Sequence, residues 1–163
     1  MTGTLWAPWR MAYIGGPRTE GCLLCDLPRE ADDRQHLILF RGPRLYVVMN
    51  LYPYNNGHLM IVPYRHGADM AYLCDEDALE LMREVRRATR VLQAAFGAEG
   101  FNVGLNLGKA AGAGVTDHLH MHVVPRWAGD TNFMPVLADT KVMPDYLETT
   151  YDTLVPFFRA EQG

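Results

Sequence analysis

The chain lacks any apolar run near the roughly 20 residues that a bilayer crossing requires, so no membrane-spanning segment and no membrane partner are expected. Its first residues show neither a charged segment followed by an apolar one nor a small-residue cleavage site, so no secretory leader is expected. Cysteine is scarce: there are 3, an odd number that suits no secreted disulfide framework. An excess of positive charge is missing too. Lys and Arg total 15 against 19 Asp and Glu, a net charge of −4, which argues against a nucleic-acid backbone as the main partner. A small phosphate-bearing ligand stays open, because a local site can be positive on an acidic protein. No internal repeat, linker or low-complexity segment interrupts the chain. These absences leave a cytoplasmic enzyme or binding protein.

What is present is a globular composition, 163 residues with 48% apolar and 21% charged, enough for one domain with a real core. The chain is organised around Asp117-His118-Leu119-His120-Met121-His122-Val123-Val124-Pro125. Alternate side chains of a strand point to opposite faces. As a strand, this run puts His118, His120 and His122 on one face, roughly 6.5–7 Å apart, and Leu119, Met121 and Val123 toward a core. Pro125 ends it. An imidazole row is costly to build, since neutral rings need hydrogen-bond partners and charged ones repel. Three readings compete: a His-rich edge strand, a metal site, and nucleophilic catalysis by one imidazole whose neighbours set its tautomer and bind charge.

The rest of the chain supplies context. Leu5-Trp6-Ala7-Pro8-Trp9-Arg10 belongs to an N-terminal arm, residues 1–20, expected to pack on the domain or a partner subunit. Cys22-Leu23-Leu24-Cys25 is either a redox pair or half of a zinc site. No βαβ pattern surrounds it, which favours zinc, and a closed site then needs two more ligands. Strands are expected at 36–40, 45–50, 58–63 and 101–106, as an antiparallel meander. One long helix spans 75–96, with Asp75 as N-cap, Gly97 just past its end and a solvated face of Arg83, Arg86, Arg87 and Arg90. Cys74 reads as a buried small hydrophobe. Gly108 to Gly114 form a small-residue loop whose backbone N–H groups can converge on an anion before the chain enters the histidine run. A short helix is expected within 145–158, inside a C-terminal tail, 132–163.

His118-Leu119-His120-Met121-His122-Val123-Val124 resembles the signature of the histidine triad (HIT) family, alternating histidines with apolar residues. Asn50 to Val62 looks like that family's nucleoside-binding hairpin, and Asn106 with Gly108 like its phosphate-binding strand end. The segment from Asn102 to Trp127, with Gly129-Asp130, Asn132-Phe133 and the N-terminal arm, is most similar to the branch containing bacterial diadenosine tetraphosphate phosphorylases.

The resemblance implies an α+β fold: a five-stranded antiparallel sheet with one long helix and a shorter C-terminal helix, usually as a homodimer. It implies His120 as nucleophile on a nucleotide's α-phosphorus, forming a covalent nucleotidyl-histidine. A carbonyl near His118 would fix the tautomer, and His122 would contact a phosphate oxygen or the leaving group. Asn50 would bind the ribose, and His58 would sit beside the triad. Asn106 and the backbone of Gly112, Ala113 and Gly114 would stabilise phosphate charge. Zinc-containing relatives imply a structural zinc on Cys22, Cys25, His66 and His118. The chain has Ala113-Gly114-Val115-Thr116 where many hydrolytic members carry Gly-Gln-Ser or Gly-Gln-Thr. A missing side-chain amide fits inorganic phosphate as acceptor in place of water. Lys109 and Arg126 are candidates to attract that phosphate, Trp127 to stack on a base, and magnesium to accompany the nucleotide. The function implied is phosphorolysis of diadenosine tetraphosphate to ATP and ADP. The alternatives are a dinucleoside polyphosphate or phosphoramidate hydrolase, and a zinc-stabilised nucleotide-binding module without turnover.

Overall fold

The computed structural model describes residues 21–130 and 145–160; the N-terminal arm and Asn132-Phe133 lie outside them. A short helix α1 (Leu23–Asp26) precedes β1 (Ile38–Arg41), β2 (Leu45–Met49) and β3 (Leu59–Pro63). The long helix α2 (Asp75–Phe96), β4 (Gly100–Leu105), β5 (Met121–Arg126) and α3 (Leu147–Ala160) follow. The strands form one antiparallel sheet in the order β1-β2-β3-β5-β4. Among the described residues no helix is long and apolar enough to cross a membrane.

Alternation along the central strands sorts the side chains into two layers. Val47, Met49, Leu59, Ile61, Met121 and Val123 pack under α2 and α3, against Leu81, Val85, Ala88, Leu92, Leu154 and Phe158. Tyr46, Val48 and Val62 face the other way and meet Leu24 of α1. Both faces of β2 are covered, which is why Leu45-Tyr46-Val47-Val48-Met49 is apolar throughout. His122 pairs with Met60 across the ladder and so sits on the face opposite the helices. The site therefore stands on a sheet whose other side is the core.

Several element boundaries differ from expectation. β1 starts at Ile38, because Leu37 has φ 57° and cannot continue an extended strand. The N-cap of α2 is Cys74, and its backbone N–H donates to the Asp77 carboxylate at 3.3 Å; Asp75 is the first helical residue. Cys74 is thus half-buried at a helix start, not a core hydrophobe. Gly97 ends the helix at φ 62°, as its position implied. Arg87 leaves the solvated row: it lies 4.2 Å above the Phe40 ring and pairs with the buried Glu84. The C-terminal helix is longer than expected and integral to the fold. Tyr151, Leu154 and Phe158 enter the core, and the Tyr151 hydroxyl donates to the Ile38 carbonyl at 3.0 Å. Truncating the fully buried Phe158 to alanine should cost about 3–5 kcal/mol, read as a lower urea midpoint at unchanged slope.

Candidate active site and metal centre

The histidine run is only partly a strand. β5 begins at Met121, so His118, at a bend, and His120 lie in the approach before it. The approach is fixed by the Leu119 N–H, which donates to the Gly67 carbonyl at 2.7 Å. Freed from strand spacing, the rings close up: those of His120 and His122 are 4.8 Å apart.

Hydrogen bonds to groups of one polarity assign the ring protons. A carbonyl oxygen only accepts, so His120 Nδ1 carries the proton it gives to the His118 carbonyl at 2.8 Å. The lone pair of neutral His120 is then on Nε2. His118 Nε2–H donates to the Pro63 carbonyl at 2.8 Å, which leaves its lone pair on Nδ1. The Tyr54 backbone N–H donates to His58 Nδ1 at 3.0 Å. His58 must therefore hold its proton on Nε2, from which it donates to His122 Nδ1 at 2.9 Å. The proton of neutral His122 is forced onto Nε2; the Asn106 amide lies 3.5 Å away and, because its Nδ2 is itself a donor, meets that proton only with Oδ1 turned toward the ring. Burial pushes the pKa of His118 and of His120 below the ordinary imidazole value. Burial, and then the nearby His120, hold His122 at about 4. The row is neutral at pH 7, with one ring offering a lone pair and the next an N–H.

Cys22, Cys25, His66 and His118 bring their ligand atoms within 4.8 Å of one another. Cys22 Sγ is 3.2 Å and Cys25 Sγ 3.4 Å from His118 Nδ1, and Cys25 Sγ is 3.4 Å from His66 Nδ1. In a tetrahedral zinc site with ordinary bond lengths the S···N edge is about 3.6 Å. His118 Nδ1, already assigned a lone pair, faces both sulfurs. Burial and the adjacent Cys22 push the Cys25 thiol up to about 11, so it stays a thiol at neutral pH unless a cation sits beside it. The donor set fits a closed metal site.

The other expected residues separate. Asn50 accepts the Tyr52 N–H on its side-chain oxygen at 2.9 Å. Gly112, Ala113 and Gly114 follow a 3-10 turn, Lys109–Ala111, on the outer side of the approach to His118. Lys109 is exposed. Arg126 is committed elsewhere: it grips Asp130 through Nε at 2.6 Å and Nη2 at 2.8 Å and reaches Asn102 with Nη1 at 2.8 Å. The Trp127 indole N–H donates to the Phe96 carbonyl at 3.1 Å, which anchors it to the end of α2. Sequence reasoning missed Tyr54, whose ring lies 4.7 Å from His58 and 5.9 Å from His122. It also missed the Pro63 carbonyl and the buried Asn55. The run Tyr54-Asn55-Asn56-Gly57 just before His58 was the available signal.

Fold and site together define a histidine triad protein. The HIT domain family model matches residues 32–129, and the chain belongs to that family. It is 42% identical over 155 residues to a Mycobacterium tuberculosis protein named AP-4-A phosphorylase, covering 90% of this chain and 79% of that one. A Schizosaccharomyces pombe bis(5'-nucleosyl)-tetraphosphatase (asymmetrical) is 29% identical over 93 residues, 57% of this chain and 50% of that one. The fold is shared with a zinc-bound histidine triad family protein from Mycobacterium smegmatis. That match has TM-score 0.70 and 22% identity and covers 86% of this chain and 95% of that one.

The neutral His122 makes stability depend on pH. Unfolded, a histidine titrates near 6.5; folded, His122 does so at about 4. The unfolded chain takes up the proton first, so acid favours unfolding. The contribution is complete above pH 6.5 and is lost as pH falls toward 4. Calorimetry from pH 7.5 to 4.5 should show Tm falling below pH 6.5, and less steeply in His122→Gln.

Proposed function

We propose that the protein is a nucleotidyltransferase that cleaves diadenosine tetraphosphate by phosphorolysis, with His120 as nucleophile. The observation that carries this reading is the bond from His120 Nδ1–H to the His118 carbonyl. It holds the one tautomer in which Nε2 can attack phosphorus. The 42% identity to a protein named AP-4-A phosphorylase supports the choice of substrate and acceptor.

In the first step His120 Nε2 forms a bond to the α-phosphorus and the α-phosphate's bond to the bridging oxygen breaks. ATP leaves, assisted by the His122 Nε2–H. In the second, an oxygen of inorganic phosphate attacks the same phosphorus, the N–P bond breaks, and ADP departs with His120 neutral again. Asn106 and the backbone N–H groups of Gly112, Ala113 and Gly114 stabilise charge on the transferred phosphoryl. Asn50 binds the ribose through its amide N–H, its oxygen being used by Tyr52. Lys109 draws in the anions, and magnesium accompanies the polyphosphate. Trp127 contributes a ring face near the nucleoside, its indole edge being fixed.

Zinc on Cys22, Cys25, His66 and His118 supplies no chemistry in this scheme: with four protein ligands it is closed to water and structural. The thiols needed for it fit a reducing cytoplasm. A homodimer would form along β4, an edge strand whose Asn102, Val103 and Gly104 are exposed.

Incubated with diadenosine tetraphosphate, the protein should release ADP and ATP only when inorganic phosphate is added, as read by anion-exchange chromatography. AMP and ATP without phosphate would make it a hydrolase. No product, with nucleotide binding retained, would make it a binding module. His120→Asn should lower the rate by on the order of 10³-fold or more. Elemental analysis should find one zinc per chain in the purified protein. Cys25→Ser should lose the zinc, lower Tm and depress activity, because His118 is both ligand and partner of His120.

A further inference from the structure

The turn that carries His58 is tied down by residues to which nothing above gives a role. Asn55 is 7% exposed. Its side-chain N–H₂ donates to the Pro125 carbonyl at 3.0 Å and to Asp130 Oδ2 at 2.9 Å, while its own carbonyl accepts the His58 N–H at 3.1 Å. The bond from residue 55 to residue 58, with Gly57 at φ 74° and Asn56 not left-handed, is a type II turn. Asp130, whose side chain is 9% exposed, is held in turn by both arms of Arg126 and by the Trp127 N–H at 3.3 Å. A continuous path thus runs from β4 and the end of β5 through Asp130 and Asn55 to His58 and His122.

We infer that Asn55 and Asp130 are positioning residues. By fixing the turn against β5 they hold the Tyr54 N–H on His58 Nδ1, and so keep the His122 proton on Nε2. This rests on the nucleotidyl-transfer reading, in which that proton serves the leaving group. The chemistry at position 55 is restrictive. Two acceptors, a carbonyl and a carboxylate, must be met by one group. Aspartate offers no donor and adds a second carboxylate beside Asp130. Alanine leaves both acceptors short of a buried bond. If the turn slips, His58 can no longer be read by the Tyr54 N–H, and His122 samples both tautomers.

The test combines long-range ¹H–¹⁵N imidazole spectra with kinetics normalised to active protein by titration of the nucleotidyl-enzyme. In the unaltered protein His122 should show its proton on Nε2. Asn55→Ala and Asp130→Ala should show mixed tautomers at His122. Their kcat should fall about 10- to 100-fold, with KM changed less than about threefold. Asp130→Asn keeps an oxygen for Asn55 but sets its N–H₂ against Arg126 Nη2, so its kcat should fall between the parent and Asp130→Ala. Asn55→Ala or Asp130→Ala protein with parental kcat per active site and an unchanged His122 spectrum would overturn the proposal. So would a proton on His122 Nδ1 in the parent. If both alanine variants fail to fold, the parent spectrum and Asp130→Asn decide. The spectra need no substrate, so absence of turnover in the parent counts against the transfer reading and leaves the tautomer result standing.

Discussion

Four contacts converge on His118, and the site depends on all of them. Its Nε2–H is spent on the Pro63 carbonyl at the end of β3, which turns Nδ1 toward Cys22 and Cys25. Its own carbonyl takes the His120 proton. One residue therefore links the segment before β1, the end of β3 and the approach to β5. A shift at the cysteine cluster moves the carbonyl that defines the His120 tautomer. The ring is 1% exposed and cannot exchange these partners for water. The first bond fixes the ring, the ring fixes the cluster, and the backbone of the same residue fixes its neighbour but one.

The second fixed body is the loop between β2 and β3, clamped from three sides. Asn55 ties it to β5, and the Thr150 hydroxyl of α3 donates to Asn56 at 2.9 Å. Gly57 lies against α2 so closely that a Cβ there would meet Leu92 at 3.0 Å. This explains why Asn55, Gly57 and His58 are buried although they lie between two strands. The loop carries the Tyr54 backbone N–H that donates to the His58 ring. The core layer of α2 and α3 thus reaches the imidazoles through packing as well as through the sheet.

Much of this was legible in the sequence because it follows period. The meander, the long helix with Gly97 beyond it and the alternating histidines are patterns that a reader can count. The cysteines and His66 were legible through family likeness, since no spacing rule brings residue 22 to residue 118. What escaped depends on long-range polarity. Arg126 looked like a free cation, but its distance from Asp130 along an extended chain says nothing of the fork they form. By sequence Asn55 only lies between two expected strands, and its bonds form only when the end of β5 arrives beside it. The start of β5 was misplaced because the alternation of residue types continues into a segment that the strand ladder does not include. Cys74 took the N-cap over Asp75 because the Asp77 carboxylate reaches back to its N–H, a choice between neighbours that composition does not weigh.

The electrostatics of the row follow from the same burial. A site for a tetraphosphate on a chain of net charge −4 would be expected to display fixed cations, yet its imidazoles are neutral at rest. Desolvation accounts for this, since a charged ring at His122 would have to forgo water with no anion beside it. In the proposed reaction the arriving phosphate accepts from the His122 Nε2–H, and the ring stays neutral because its Nδ1 already accepts the His58 N–H. Neutrality at rest leaves the His120 lone pair on Nε2 free of a proton, as the proposed attack requires, and prevents repulsion between rings whose centres are 4.8 Å apart. In that reaction the N–H that meets the leaving polyphosphate is already placed by His58. A permanently charged row would bind the anion more strongly but would have no nucleophile to offer it.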